Sequence, residues 1–303
     1  MIASFEKVAK WYGAVVGLVD VDVEVAPGVT GLLGPNGAGK STFLKLLTGQ
    51  IVPSQGRVRL LGTDPFRDWR LHRRIGFCPE PDAFWEQLTG REFVRYLTRL
   101  HGVAGREASR RADEAIARVD LDAEADRPIR GYSKGMRQRI KLAQALAHAP
   151  EVIVLDEPLN GMDPVGRKKT TNLIRELGAQ GVSVLVSSHI LHEVEGMTRQ
   201  VVLLYQGRVR AQGEIGEIRA LLDRYPHKIR LRTGRPRDLA RALLALERIV
   251  AVRVEEDSVQ VETRDPDALF DLLPRLVLDE GLPVESLHSE DLSLDAVFEY
   301  LTA

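Results

Sequence analysis

The chain has 303 residues, 44% hydrophobic and 28% charged, with a formal net charge of −1. This is the composition of an ordinary globular protein with room for one large domain, or a medium and a small one, and its charge balance gives no global electrostatic case for nucleic acid or a membrane surface. A single cysteine, Cys78, rules out an intrachain disulfide and fits a reducing compartment. No stretch approaches the ~20 apolar residues of a membrane span, and residues 1–7 lack the apolar run of a signal peptide. The chain is expected in the cytoplasm, with any membrane role reached through a partner.

Residues 5–25 read as two strands around Lys10-Trp11-Tyr12-Gly13. Val19, Val21, Val23 and Val25 alternate with Asp20, Asp22 and Glu24, the period-2 signal of a half-exposed strand. The aromatic pair could stack on a base or belong to a core. Residues 29–33 form a short apolar strand, followed by Gly34-Pro35-Asn36-Gly37-Ala38-Gly39-Lys40-Ser41-Thr42, which matches G-x-x-x-x-G-K-[ST] at every fixed position. Residues 41–48, with Phe43, Leu44, Leu46 and Leu47, have a helical pattern. A strand, Gly-rich turn and helix in succession aim backbone N–H groups and a helix N-terminus at one anion. Lys40 is then placed to reach the β- and γ-phosphates and the Ser41 hydroxyl to ligate Mg²⁺, so a nucleoside triphosphate is the expected ligand.

Further strands are expected at 57–61 and 74–78, the second ending in Cys78, expected buried and inert, and then Pro79-Glu80-Pro81. The basic clusters Arg67, Arg70, Arg73, Arg74 and Arg106, Arg110, Arg111 read as solvated faces, with a partner surface as the alternative. Thr89-Gly90-Arg91-Glu92 has the form of a capping box, followed by Phe93, Val94, Leu97 and Leu100 on one helix face and a second helix over 107–119. Ser133 is a candidate N-cap for a helix that opens Lys134-Gly135-Met136-Arg137. Basic residues there oppose the helix dipole, which an anion supplied from outside would resolve.

Residues 152–155 are a continuous apolar run, as in a strand buried on both faces of a parallel sheet, and end in Asp156-Glu157-Pro158. At the C-terminal end of such a strand Asp156 is suited to hold hydrated Mg²⁺ and Glu157 to polarise the attacking water; the bland alternative is an acidic exit from a strand. A turn from Leu159 to Pro164, a helix to about 177 and a buried strand at 182–186 lead to His189, again at a strand's C-terminal end. His192 and Glu193 do not have the H-E-x-x-H spacing of a zinc site.

Over about residues 2–222 the chain resembles the ATP-binding-cassette (ABC) ATPases, whose motifs occur here in the family's order. Gly34 to Thr42 is similar to the Walker A, Tyr12 to the aromatic that stacks on adenine, and Glu80 falls at the Q-loop. Ser133, Lys134, Gly135 and Met136 fall at the signature, Asp156-Glu157 at the Walker B, Asn160-Gly161-Met162-Asp163 at the D-loop, and His189 at the switch histidine. The resemblance implies an α/β P-loop NTPase fold with a RecA-like parallel-sheet core, an antiparallel β-subdomain and a helical signature subdomain at about 86–148. It further implies an ATPase with MgATP bound between the Walker A of one cassette and the signature of another, here in a homodimer. Tyr12, residues 34–42 and 133–136 would contact the nucleotide, Ser41, Glu80 and Asp156 the metal, and Lys40, Glu157 and His189 would act in hydrolysis. The family usually has Gln where this chain has Glu80, and L-S-G-G-Q where it has Tyr132-Ser133-Lys134-Gly135-Met136. Lys134 adds positive charge near the γ-phosphate, and Met136 cannot hydrogen-bond as Gln would. These replacements resemble the ABC-2 exporter type, in which the ATPase is a separate subunit held by a permease on the cytoplasmic face of the membrane. Phe84, Trp85 and Leu88 are the expected permease contact, with no nucleic-acid partner and no direct membrane insertion. The rival reading is a soluble cassette acting on the ribosome or DNA.

With the cassette at 1–225, residues 226–303 are expected to form a second α+β domain. After a helix at 213–225, its elements read strand 228–233, helix 237–246, strands 251–255 and 258–263, helix 266–280, strand 283–287 and helix 292–301. The βαββαβ order suggests a ferredoxin-like sandwich.

Overall fold

The computed structural model describes residues 1–215, 226–244, 246, 248–279 and 281–289. Contacts divide the chain into two compact units, Met1–Ile215 and Gly216–Ala303, a boundary ahead of the expected one after residue 225.

The first unit begins with β1 (Ala3–Tyr12), β2 (Val15–Val25), β3 (Val29–Leu33), α1 (Lys40–Leu47), β4 (Gln55–Leu60) and β5 (Ile75–Cys78). The helices α2 (Gly90–Leu100), α3 (Gly105–Arg118) and α4 (Lys134–Leu146) follow. Then come β6 (Val152–Asp156), α5 (Pro164–Ala179), β7 (Ser183–Ser188), α6 (Leu191–Glu195), β8 (Gln200–Tyr205) and β9 (Arg208–Glu214). Six strands form one sheet in the order β5-β6-β7-β3-β8-β9, parallel except for the edge pair β8/β9; β2-β1-β4 form an antiparallel sheet. Val152 to Leu155 of β6 are fully buried, as the apolar run requires of a strand with helices on one face and a second sheet's core on the other. Phe5 of β1 stacks on Phe43 of α1 with ring centroids 3.9 Å apart, tying the antiparallel sheet to the helix behind the phosphate loop. Because β3, β6 and β7 are parallel neighbours, the segments leaving them emerge at one sheet edge, where α/β sheets hold ligands.

The capping box forms: Thr89 Oγ1 accepts the Glu92 N–H at 3.2 Å, and Glu92 Oε2 accepts the Thr89 N–H at 3.0 Å. The face of α2 is rotated from expectation. Phe93, Val94 and Thr98 are buried, whereas Leu100 is 75% exposed. At 3.6 residues per turn a stripe centred between Val94 and Leu97 leaves Leu100 at its margin, and Thr98 faces inward with its hydroxyl bonded to the Val94 carbonyl. The basic opening of α4 also finds counter-charge within the chain. Arg137 makes a two-pronged bond to Glu86 at 2.7 and 2.9 Å, and Lys141, further along, bonds Asp82 at 3.0 Å and the Glu80 carbonyl at 2.7 Å. Gly213 and Glu214, expected to open a helix, belong to strand β9; Ile215 is helical as expected, and residues 216–225 lie outside the described residues.

The described residues of the second unit form β10 (His227–Arg232), α7 (Pro236–Leu244), β11 (Ile249–Val254), β12 (Ser258–Thr263), α8 (Pro266–Leu278) and β13 (Ser286–Ser289). Its antiparallel sheet has the order β11-β12-β10-β13, the ferredoxin-like arrangement, over a core that includes Leu239, Leu243, Val259, Val261 and Leu269. The last strand starts later than expected because Gly281 (φ 62) closes α8 and the Leu282 N–H bonds the Leu276 carbonyl. The helix expected at 292–301 lies outside the described residues.

Two stability predictions follow from these contacts. Thr89→Ala should cost about 1 kcal/mol, read as a lowered thermal midpoint. His148, 6% exposed and stacked at 3.7 Å on His101, is held neutral by burial, its pKa lowered from 6.5 to about 4. A histidine whose folded pKa is depressed contributes stability above pH 6.5 that is lost as pH falls towards 4. Urea unfolding across that window should show the loss, and His148→Gln should reduce it.

Candidate nucleotide site

The phosphate loop leaves β3 and turns into α1 through Gly37 and Gly39, at φ values of +82° and +105°. At Gly39 a Cβ would stand 2.6 Å from the Gly17 carbonyl, so the loop packs too closely for any side chain there. At Gly37 nothing lies within 4 Å of that position, and the loop is open towards a cavity of about 530 Å³. Lys40, 7% exposed, donates to the Gly34 carbonyl at 2.6 Å and the Pro35 carbonyl at 3.3 Å, and its Nζ lies 3.4 Å from Glu157 Oε1.

Opposite the loop, Asp156 ends β6 with Oδ1 accepting from the Ser187 hydroxyl at 2.7 Å. Glu157 follows at φ 50°, a left-handed conformation that costs a non-glycine residue on the order of 1 kcal/mol and persists only where its surroundings fix it. The surroundings do so. The Glu157 N–H bonds Ser187 Oγ at 2.9 Å, and its carbonyl accepts from Gln138 at 3.2 Å. Its carboxylate lies between Lys40 and His189, whose Nδ1 is 2.9 Å from Oε2. Since a carboxylate only accepts, the proton of that bond sits on Nδ1.

Of the expected site residues, Tyr12, Pro35, Asn36, Gly37, Gly39 and Lys40 line this cavity together with Ser41, Thr42, Glu80, Asp156, Glu157 and His189. Gly34 and Ala38 are buried behind the loop. At Gly34 a Cβ would meet the Leu204 carbonyl at 2.3 Å. Ser133, Lys134, Gly135 and Met136 do not line it: Ser133 caps α4 by accepting the Met136 N–H at 3.3 Å, and the Lys134 stem lies over Gly161. Two contributors carry no motif. Gly17 lies between the Tyr12 ring and Thr42, within about 3 Å of both where a Cβ would be, and only its lack of a side chain brings ring and loop together. Ser187 is fully buried, and a serine directly after the apolar run Val184-Leu185-Val186 was the available signal.

The oxygen donors Ser41, Glu80 and Asp156 suit a hard cation. Mg²⁺ takes one or two carboxylates and completes its shell with water and substrate phosphates, which these three side chains would allow.

A family model described as ABC transporter matches residues 18–160. The daunorubicin resistance ATP-binding protein DrrA3 of Streptomyces coeruleorubidus is 35% identical over 297 residues, 97% of this chain and 93% of that protein. The chain belongs to the ABC transporter ATP-binding proteins. The chain is also 41% identical over 189 residues, 62% of each chain, to the uncharacterized ABC transporter ATP-binding protein YxlF of Bacillus subtilis. In fold it is similar to a dimeric ABC cassette solved in a post-hydrolysis state with ADP and Pi, at 24% identity and a TM-score of 0.66, covering 71% of this chain and 99% of that one. The cassette is therefore an ABC ATPase in fold and family, with a parallel-sheet core, an antiparallel sheet and a helical insert.

Tyr12, 45% exposed at the cavity wall, offers a stacking face. Tyr12→Ala should weaken binding of a fluorescent ATP analogue by about 1 kcal/mol, roughly fivefold, with Tyr12→Trp retaining it.

Proposed function

We propose that this cassette is the ATP-hydrolysing subunit of an ABC-2 type exporter, working as a head-to-tail pair of identical chains and driving a separate membrane permease. The observation that carries the chemistry is Glu157, fixed between Lys40 and His189 beside Asp156. Lys40 and the N–H groups of the loop bind the phosphates, and Tyr12 stacks on the base. Ser41, Asp156 and Glu80 would hold Mg²⁺, which when bound neutralises charge on the β- and γ-phosphate oxygens. Incoming phosphate competes for the Lys40 ammonium, which frees Glu157 Oε1 to take the proton of the attacking water, and His189 keeps the carboxylate oriented. The products are ADP and phosphate.

The partner copy supplies the other half of the site. The exposed Ser133 and Lys134, with Gly135 and Met136, do not line the chain's own cavity and in this reading serve a second one. Lys134 would add positive charge at the partner's γ-phosphate. Among the described residues no helix is long and apolar enough to cross a membrane, and coupling to transport is proposed to run through a separate permease. Its contact is proposed at the loop of Phe84, Trp85 and Leu88, where the 51% exposure of Trp85 supports docking, while Phe84 packs against the core beside Phe93. In this reading the subunit works on the cytoplasmic face of the membrane. Export is favoured by the drug-resistance relative, which matches both units of the chain.

ATP turnover measured against protein concentration, beside Glu157→Gln, tests the reading. Turnover should rise more than linearly, and Glu157→Gln should still bind nucleotide and dimerise while losing at least about 100-fold in rate. A linear dependence would overturn the shared site, and a fully active Glu157→Gln would overturn the role of Glu157.

A further inference from the structure

We propose that Ser187 is a positioning residue that fixes the metal-binding carboxylate of Asp156 and the backbone of Glu157 with one hydroxyl. The proposal rests on the reading of Asp156 as a Mg²⁺ ligand. Ser187 is the cross-strand neighbour of Asp156 in the parallel β6/β7 pairing. It is fully buried and follows the buried Val184, Leu185 and Val186. A hydroxyl in such a place is costly unless bonded, and its two bonds go to the two consecutive acidic residues, Asp156 Oδ1 at 2.7 Å and the Glu157 N–H at 2.9 Å.

The direction of both bonds is forced. A backbone N–H can only donate, so Ser187 Oγ accepts from Glu157; a carboxylate can only accept, so the hydroxyl proton is committed to Asp156 Oδ1. That bond holds Asp156 in one orientation and leaves Oδ2, which has no hydrogen bond among the described residues, as the oxygen available on a residue that lines the cavity. The same hydroxyl anchors Glu157 where its backbone is held at φ 50°. An alanine at 187 would leave the Glu157 N–H unpaired and the Asp156 side chain free to turn, with nothing removed from the cavity wall itself. Partners that orient metal ligands in this way typically change metal affinity by about 10- to 100-fold when lost.

The test uses the full chain and binding of mant-ATP, titrated with Mg²⁺ and repeated in EDTA, for Ser187→Ala, Ser187→Thr and Asp156→Asn. Ser187→Ala is expected to raise the Mg²⁺ concentration for half-maximal tight binding by about tenfold or more, with metal-free affinity unchanged and Ser187→Thr close to the parent. An unshifted Mg²⁺ dependence in Ser187→Ala, beside a shift in Asp156→Asn, overturns the proposal and leaves the reading of Asp156 intact. Equal weakening with and without Mg²⁺ also overturns it, since that marks a general loss of site shape. If Asp156→Asn itself leaves the Mg²⁺ dependence unchanged, the reading of Asp156 falls first and the proposal with it.

Discussion

Three charged side chains, Lys40, Asp156 and Glu157, are each at least nine-tenths buried at one sheet edge. Withdrawing such groups from water costs several kcal/mol apiece unless each finds partners. Here the partners are specific: two loop carbonyls and Glu157 for Lys40, Ser187 for Asp156, and Lys40 with His189 for Glu157. The set carries one cation and two carboxylates, an excess of negative charge that a bound divalent ion would offset. The parallel neighbours β3, β6 and β7 deliver the loop, the two acids and the serine to one edge, and the Phe5–Phe43 stack holds α1 behind the loop.

The helical insert is joined to that edge by charge as well as by packing. Glu80 lies on the cavity wall, and the segment that runs from it through Phe84, Trp85 and Glu86 is bonded to α4 by Arg137 and Lys141. Gln138 of the same helix reaches the Glu157 carbonyl. The surface proposed to meet a permease, the helix that starts at Ser133, and the acid proposed to activate water are thus linked by bonds made within one chain. Arg137 is half-buried but the Glu86 side chain is 44% exposed, so their two-pronged bond remains open to screening by salt.

Much of this was legible from local pattern. The glycines and lysine of the phosphate loop, the Thr89–Glu92 box, the alternating valines of β2 and the unbroken apolar run of β6 each have a meaning set by residues within a few positions, and each element stands where that meaning puts it. The βαββαβ order of the second unit is of the same kind, since each of its strands and helices announces itself by period and turn residues.

What local pattern could not decide was the pairing of distant residues. The counter-charge for Arg137 of α4 is Glu86, 51 residues before it, and the hydrogen bond that orients Asp156 comes from Ser187, 31 residues after it. Leu100 has the right periodicity for a core position, yet which side of α2 is covered depends on where α3 and α4 lie. Glycine at 17 reads as a gap in a strand until the Tyr12 ring and Thr42 close on it from both sides. The sequence by itself determined which elements form and which residues have the chemistry for nucleotide. Only the tertiary structure decided which of them share a hydrogen bond, because strand register and helix packing, not spacing along the chain, set distances between groups dozens of residues apart.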